Sequence, residues 1–249
     1  MTSNRRHQPF DEPLTVERIT KDIILLSMPT QKEIGQLLVR FQEYYESNIP
    51  DIRGKVFTLG YLKMRYAQEV GGAYTYVSSN LFRGDWTGFN FPSYVLKPFI
   101  DGKFDPLTPA EQDLVDMFRH RRDDTFYIVG VGEDEDLSVD HEINHGIYYT
   151  IPEYQKEVDD VLKDWDQVPA LKEMFRSWAY CEDVLIDEIH AYISADYDWL
   201  EDEKCEDLEK FCITLDPAIR QQLWDIRAKY FEPIDPKYRV MLEQKDIDV

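Results

Sequence analysis

The segment His141-Glu142-Ile143-Asn144-His145 constrains the fold of this chain more than any other part of the sequence. On a helix, residues four positions apart share a face, so both imidazoles point the same way. Two histidines placed like this can bind one Zn²⁺ ion, and Glu142 lies beside them, where it can accept a proton from water. The alternative is a surface helix with two unrelated histidines. The metal interpretation requires a helix here and a further ligand from elsewhere in the chain.

The residues around this segment favour a strand, a loop and a helix in that order. Residues 125–131 are β-branched and aromatic and predict a strand, and the acidic residues 133–136 predict a loop. Ser138 is a suitable N-cap for the following helix. Pro152 and the preceding residues predict that the helix ends near 149–151.

A catalytic zinc usually takes three protein ligands, so the sequence must supply one more. A metzincin continues its motif as HExxHxxGxxH. The glycine position is occupied here by Tyr148 and the third histidine position by Ile151, which excludes that pattern. Residues 171–197 contain no Gly or Pro and predict one long helix with an apolar face. That face is interrupted by Glu188, and Cys181 on the same face is a weaker candidate ligand. A carboxylate among apolar residues is costly unless something satisfies it: a metal, a buried tyrosine or contact with solvent.

Together, the HExxH at 141–145 and Glu188-Ile189-His190-Ala191 resemble the zincin metallopeptidases of the gluzincin type, over about residues 125–197. The resemblance implies one Zn²⁺ ion held by His141, His145 and Glu188. It also implies peptide-bond hydrolysis with Glu142 as the general base.

Tyr192 departs from this family pattern, in which an acidic residue often orients a ligand histidine. Three other acidic residues are candidates for that role: Asp183, Asp187 and Asp196. Tyr192 is itself the first candidate for a catalytic donor that stabilises the oxyanion. The other candidate donors are His190, Tyr148 and Tyr149.

The composition limits the class of partner and the compartment. A net charge of −21 argues against binding to nucleic acid and favours basic partners or substrates. Three widely spaced cysteines do not form a disulfide framework and fit a reducing compartment. We expect no membrane span and no secretory signal, because neither a long apolar run nor an apolar N-terminal segment is present. A cytoplasmic protein is therefore expected, with export by a signal-less route left open.

The pattern along the chain predicts an α+β fold. We expect a loose segment at 1–15 and a single catalytic domain at 16–249, with lobes at about 16–132 and 133–249. The first lobe is mixed with a small sheet, the second is mainly helical, and the metal-binding helix lies between them. Predicted strands lie at 22–28 and 73–79, and predicted helices at 30–47, 55–70, 108–121, 153–164 and 216–231.

The substrate is less constrained by the sequence. A peptide could pair with residues 125–131 if they form an edge strand. The aromatic residues of the loop at 82–97 either wall a pocket or, as is more common, close the core: Phe82, Trp86, Phe89, Phe91 and Tyr94. Three functions follow: a zinc metallopeptidase acting on a peptide or protein, which we favour, a metal-dependent amidohydrolase acting on a small molecule, or an inert binding or regulatory protein.

Overall fold

The computed structural model describes residues 14–68, 74–77, 80–83, 88–133, 139–195, 206–230 and 240–241. The strands are β1 (Thr15–Thr20), β2 (Ile23–Met28), β3 (Tyr74–Val77), β4 (Asn80–Arg83), β5 (Gly88–Pro92), β6 (Tyr127–Gly132) and β7 (Val240–Met241). The first-lobe helices are α1 (Gln31–Glu46), α2 (Leu59–Gln68), α3 (Leu96–Ile100) and α4 (Pro109–Phe118). The later helices are α5 (Val139–Thr150), α6 (Pro152–Lys163), α7 (Val168–Ser177), α8 (Leu185–Ser194), α9 (Glu206–Lys210) and α10 (Pro217–Tyr230).

A mixed five-stranded sheet has the order β5-β6-β2-β1-β7. Its central pair, β2 and β6, is parallel, and the other pairings are antiparallel. Strands β3 and β4 form a separate hairpin. The predicted α+β fold is therefore confirmed.

The sheet separates two hydrophobic cores. Successive residues of a strand point to opposite faces, so Ile24 and Leu26 pack with α1 while Ile23 and Leu25 pack with α5. Both central strands are buried on both sides, which explains why β2 reads as a continuous apolar run. Helix α1 of the first expected lobe and helix α5 of the second thus pack on opposite faces of one sheet. The pairing of β7 with β1 brings residues 240–241, which we expected in the second lobe, to the sheet of the first.

Local sequence signals position most of these elements. Thr30 caps α1 and Thr108 caps α4, and a glutamate three residues later completes each capping box, as predicted. The segment expected to be loose at 1–15 lies largely outside the described residues, but Thr15 already belongs to β1.

The single helix expected over 171–197 is wrong. Helix α7 ends at Ser177, a 3₁₀ turn covers Glu182–Val184, and α8 begins at Leu185. Ala179 adopts a left-handed backbone with φ of 69°, which a continuous helix cannot contain. Cys181 therefore precedes α8 and does not lie two turns before Glu188 on one helix.

The aromatic loop mostly serves the core. Phe89 and Phe91 are fully buried, whereas the Tyr94 side chain is exposed. Trp86 and the side chain of Phe82 lie outside the described part of the chain. No helix among the described residues has the length and apolar character needed to cross a membrane.

Candidate metal centre

Helices α5 and α8 bring the predicted ligands together. His141 and His145 project from one face of α5, and Glu188 faces them from α8. The two Nε2 atoms of the histidines are 3.2 Å apart. Carboxylate oxygens of Glu188 lie 3.7 Å from each of these nitrogens.

The spacing of these donor atoms is compatible with a tetrahedral metal site. Bonds of about 2.0–2.1 Å to a tetrahedral zinc place its ligand atoms roughly 3.3 Å from one another. The two 3.7 Å distances involve different oxygens of Glu188, and a set with one donor atom from each residue lies within 4.8 Å. Binding one ion would therefore draw these atoms closer together. The three side chains can therefore hold a metal ion.

The environment of Glu188 also fits a metal ligand. Its Oε2 atom is buried and has no hydrogen-bond partner. Burial raises the pKa of this carboxyl to about 7, because a buried charge loses the stabilisation that water provides. A cation bound at Oε2 would satisfy the atom and offset that cost.

Access to the centre is from the side of His141. The side chain of His141 is 16 % exposed, whereas those of His145 and Glu188 are only 2 % and 3 % exposed. A catalytic zinc site keeps one coordination position open for water or substrate. An ion held here would therefore be reached from the side of His141.

Asp187 contacts the ring nitrogen of His145 that points away from the candidate metal site. Its Oδ2 atom lies 2.9 Å from Nδ1 of His145, so Nε2 of the same ring is left to face the metal site. Burial opposes ionisation of Asp187, but the charge of His145 prevails and lowers the pKa of this carboxyl. Of the other two candidates for this role, Asp183 is 79 % exposed and lies 3.6 Å from Arg53, while Asp196 is outside the described residues.

The proposed base, Glu142, is held by the edge strand β5. Its Oε2 atom accepts a hydrogen bond of 2.5 Å from Nδ2 of Asn90. A Cβ atom at Gly88 would lie 2.1 Å from Oε1 of Glu142, so only glycine allows this approach. Burial raises the pKa of Glu142 above its usual range, which suits a group that must accept a proton near neutral pH.

Asn90 is fixed from two further directions. The hydroxyl of Tyr127 donates to Oδ1 of Asn90 at 2.5 Å, and the backbone N–H of Asn90 donates to Oε1 of Gln42 at 2.8 Å. The sequence analysis did not identify Asn90 or Gly88. The sequence feature that could have identified them is the alternation in Gly88-Phe89-Asn90-Phe91. Both phenylalanines pack in one core, and the other two residues face α5.

Tyr192 lies beside His141, one of the candidate metal ligands. Its ring centroid is 4.5 Å from that of His141, and its hydroxyl is 3.0 Å from the hydroxyl of Tyr180. Tyr180 also lies close enough to Glu188 to lower the pKa of that carboxyl, against the larger effect of burial. Tyr180 was missed because it precedes α8, in the segment that we predicted to be helical. The catalytic role of Tyr192 stays a prediction.

The other candidate donors have different partners. His190 is fully buried and pairs through Nε2 with the hydroxyl of Tyr154 at 2.6 Å. The hydroxyl of Tyr148 donates to Asp159, and the ring of Tyr149 packs on Tyr127. Cys181 does not belong to the ligand group that the described residues form.

The strand predicted at residues 125–131 is not an edge strand. Peptide pairing there required an edge, but β6 lies between β5 and β2. Strand β5 instead ends the order of the described sheet and passes against α5, with Asn90 at Glu142. The terminal strand of the described sheet that lies beside the metal centre is therefore β5, and the backbone N–H of its Asn90 is already paired with Gln42.

Three comparisons with known proteins gave no match: no family model, no curated protein and no solved structure matches this chain.

Proposed function

We propose that this protein is a zinc-dependent hydrolase, and specifically a metallopeptidase. The observation that carries the proposal is the cluster of ligand atoms from His141, His145 and Glu188, which lie within 4.8 Å of one another, with Glu142 beside them. Two imidazoles and one carboxylate are a donor set that catalytic zinc sites use.

The surrounding residues divide the chemistry among them. A zinc ion in this site would supply a Lewis acid and lower the pKa of a water molecule toward about 7. Glu142 takes a proton from the attacking water and passes it to the leaving amine. The hydroxyl of Tyr192 donates a hydrogen bond to the carbonyl oxygen of the substrate as negative charge develops there. Asp187 keeps His145 in the tautomer that presents Nε2.

The resemblance of the His141, His145 and Glu188 set to gluzincin sites supports a peptide as substrate in preference to a small molecule. Strand β5 contacts the proposed general base through Asn90. The alternative substrate, a small-molecule amide, would use the same metal centre.

The test combines metal analysis with one isosteric substitution. We expect close to one equivalent of zinc in the purified full-length protein and hydrolysis of a mixed peptide library. The variant Glu142→Gln should keep its zinc and lose activity by about a hundredfold or more. Glu153→Gln removes an exposed carboxylate near the start of α6 and is the matched control, with unchanged activity expected.

Two results would contradict the proposal. Full activity in Glu142→Gln would exclude this residue as the base. Absence of both bound zinc and hydrolysis, even after zinc is added, would favour an inert binding protein that retains the HExxH helix.

A further inference from the structure

His190 is a buried histidine that the proposed hydrolytic steps do not use. It lies on α8, two residues after the candidate ligand Glu188, and its side chain is fully buried. A histidine in this position is either an ordinary packed core residue or part of the support for the metal centre. The atoms that face its two ring nitrogens distinguish these roles.

Both ring nitrogens of His190 face oxygen atoms. Nε2 lies 2.6 Å from the hydroxyl oxygen of Tyr154 on α6, and Nδ1 lies 3.6 Å from Oδ1 of Asp187, one turn earlier on α8. Residues three positions apart on a helix share a face, which brings Asp187 to this ring. A ring turned by half a rotation would present carbon atoms to both oxygens, so the two partners require the observed orientation.

The contact with Asp187 joins two atoms that have no other hydrogen-bond partner. Nδ1 of His190 and Oδ1 of Asp187 are both buried, and neither is hydrogen-bonded within the described part of the chain. At 3.6 Å the two atoms are slightly too far apart for a hydrogen bond, but they are a complementary donor and acceptor. Buried polar groups are nearly always paired, so a small approach of the two side chains would satisfy both atoms.

The chemistry of these contacts determines where the ring of His190 carries its proton. A neutral imidazole has one N–H donor and one nitrogen lone pair. If Nε2 carried the proton, the lone pair of Nδ1 would face the negative Oδ1 atom of Asp187 in a buried site, which is repulsive. In the favourable arrangement Nδ1–H faces Asp187, while the hydroxyl of Tyr154 donates to Nε2.

Packing holds the ring of His190 in this orientation. It stacks on the ring of Tyr148 from α5, with the two centroids 5.3 Å apart. The ring of Tyr154 packs against it at the same distance and at an angle of 74°. Helices α5 and α6 thus fix the direction in which Nδ1 points.

We propose that His190 is a positioning residue for the metal centre: it holds the carboxylate of Asp187, which in turn orients the ligand His145. Oδ2 of Asp187 lies 2.9 Å from Nδ1 of His145, so the two oxygens of one carboxylate face two imidazoles. A carboxylate held at both oxygens cannot rotate freely, and this keeps Nε2 of His145 directed at the metal site. The inference rests on the metal site of the proposed hydrolase.

Two substitutions at His190 separate this role from packing. Counted along the side chain from Cβ, the amide nitrogen of Asn corresponds to Nδ1 of histidine and that of Gln corresponds to Nε2. His190→Asn therefore keeps a donor for Asp187, whereas His190→Gln keeps only a partner for Tyr154. In competition with a chelator, His190→Gln should bind zinc about tenfold more weakly than the unchanged full-length chain, and His190→Asn should remain within about threefold of it.

The order of the two zinc affinities decides between the roles. Both variants lose ring packing, so urea denaturation of the zinc-free chain should show lower stability for both. A purely structural histidine would give equal zinc affinities, or weaker binding in His190→Asn, which loses the contact with Tyr154. Either of these results would overturn the inference.

A double-mutant cycle tests whether the effect of His190 passes through Asp187. In an Asp187→Asn background, His190→Gln should change zinc affinity by less than about twofold, because the carboxylate that it would release is already absent. Asp183→Asn is the control background, since Asp183 is on the same segment but 79 % exposed, and there the full loss of about tenfold should persist. An undiminished loss in the Asp187→Asn background would overturn the role of His190 as a residue that acts through Asp187.

Nitrogen NMR spectra of the histidine rings provide a readout that does not depend on the metal. In the zinc-free full chain, the signals that disappear in His190→Asn should show a proton on Nδ1, and a proton on Nε2 alone would contradict the arrangement. Absence of zinc binding by the unchanged protein would overturn the proposed function and this role with it. Zinc binding that is equally tight in the unchanged protein and in both His190 variants would overturn this inference alone.

Discussion

The side-chain amide of Asn90 donates a hydrogen bond of 2.5 Å to the carboxylate of Glu142, and this contact joins the edge strand β5 to the metal-binding helix α5. An ionised carboxylate only accepts hydrogen bonds, so Asn90 must present its nitrogen to Glu142. Its oxygen then needs a donor, which the hydroxyl of Tyr127 supplies. The direction of the network is thus determined by the chemistry of its two ends, and it holds Glu142 in one orientation.

Removing this contact should reduce catalysis without removing the metal. A hydrogen bond to a charged group contributes about 1.5–3 kcal/mol, so Asn90→Ala should lower kcat by about 10- to 100-fold. Tyr127→Phe removes only the donor that orients the Asn90 amide, and a smaller loss is expected. Steady-state kinetics and zinc content per chain provide the measurement. A loss of zinc in Asn90→Ala that parallels the loss of kcat would show that Asn90 supports the metal site and not the base.

Gly88 should tolerate no side chain, because its position is set by the close approach of β5 to Glu142. The Cβ atom of Gly88→Ala would lie 2.1 Å from Oε1 of Glu142 and would displace that carboxylate. A displacement of about 1 Å at a catalytic group can cost about a hundredfold in rate.

Gly60→Ala is the matched control for this substitution. A Cβ atom there has its nearest neighbour at 3.9 Å, and the residue lies in helix α2, where alanine is favoured over glycine. We therefore expect unchanged kcat in Gly60→Ala and strongly reduced kcat in Gly88→Ala, measured on the same peptide. Equal kcat values in both variants would contradict the close packing of β5 on Glu142.

Asp187 should control metal affinity and leave the fold intact. Its contact with Nδ1 of His145 orients a ligand, and loss of such a contact typically weakens zinc binding by about 10- to 100-fold. Competition with a chelator should show this decrease in Asp187→Asn. Asp159→Asn also removes a partly buried carboxylate, one that accepts from Tyr148 away from the metal ligands, and should bind zinc like the unchanged protein. Unaltered affinity in Asp187→Asn would show that His145 is oriented by other contacts.

The sequence predicted those parts of the site that depend on helical periodicity. His141 and His145 are one turn apart, and Glu188 is a carboxylate among apolar residues of α8, so each was visible without tertiary information. The capping boxes at Thr30 and Thr108 depend on side chains three residues apart and were equally visible.

The parts that the sequence did not predict depend on contacts between distant segments. Asn90 reaches Glu142 across 52 positions of the chain, and nothing in the pattern of β5 specifies that partner. The end of α7 depends on the left-handed backbone of Ala179. Alanine rarely adopts this conformation, so the residue type did not predict the break. The position of β6 inside the sheet follows from its pairing with both β2 and β5. The residue pattern of one strand does not specify which strands pair with it.

Stability of the first lobe should depend strongly on one buried ion pair, Arg40 with Glu111. The guanidinium of Arg40 contacts both carboxylate oxygens at 2.6 Å, and the two side chains are 1 % and 2 % exposed. Arg40 also donates to the backbone oxygen of Phe104, so it joins α1 to the segment that precedes α4. Removing one member leaves the other charged and buried without its partner.

Glu111→Gln should therefore lower the free energy of unfolding by about 3–5 kcal/mol, as measured by urea denaturation. The double variant Arg40→Met/Glu111→Leu removes both charges and should recover part of that loss, because an apolar pair needs no desolvation of charge. Recovery is incomplete because the variant also removes the carboxylate that completes the Thr108 capping box. The exposed pair Arg122 with Asp101 is the control, and Asp101→Asn should change the unfolding midpoint far less, since solvent screens that contact. A double variant that is less stable than Glu111→Gln would show that the ion pair stabilises the fold beyond the cost of its burial.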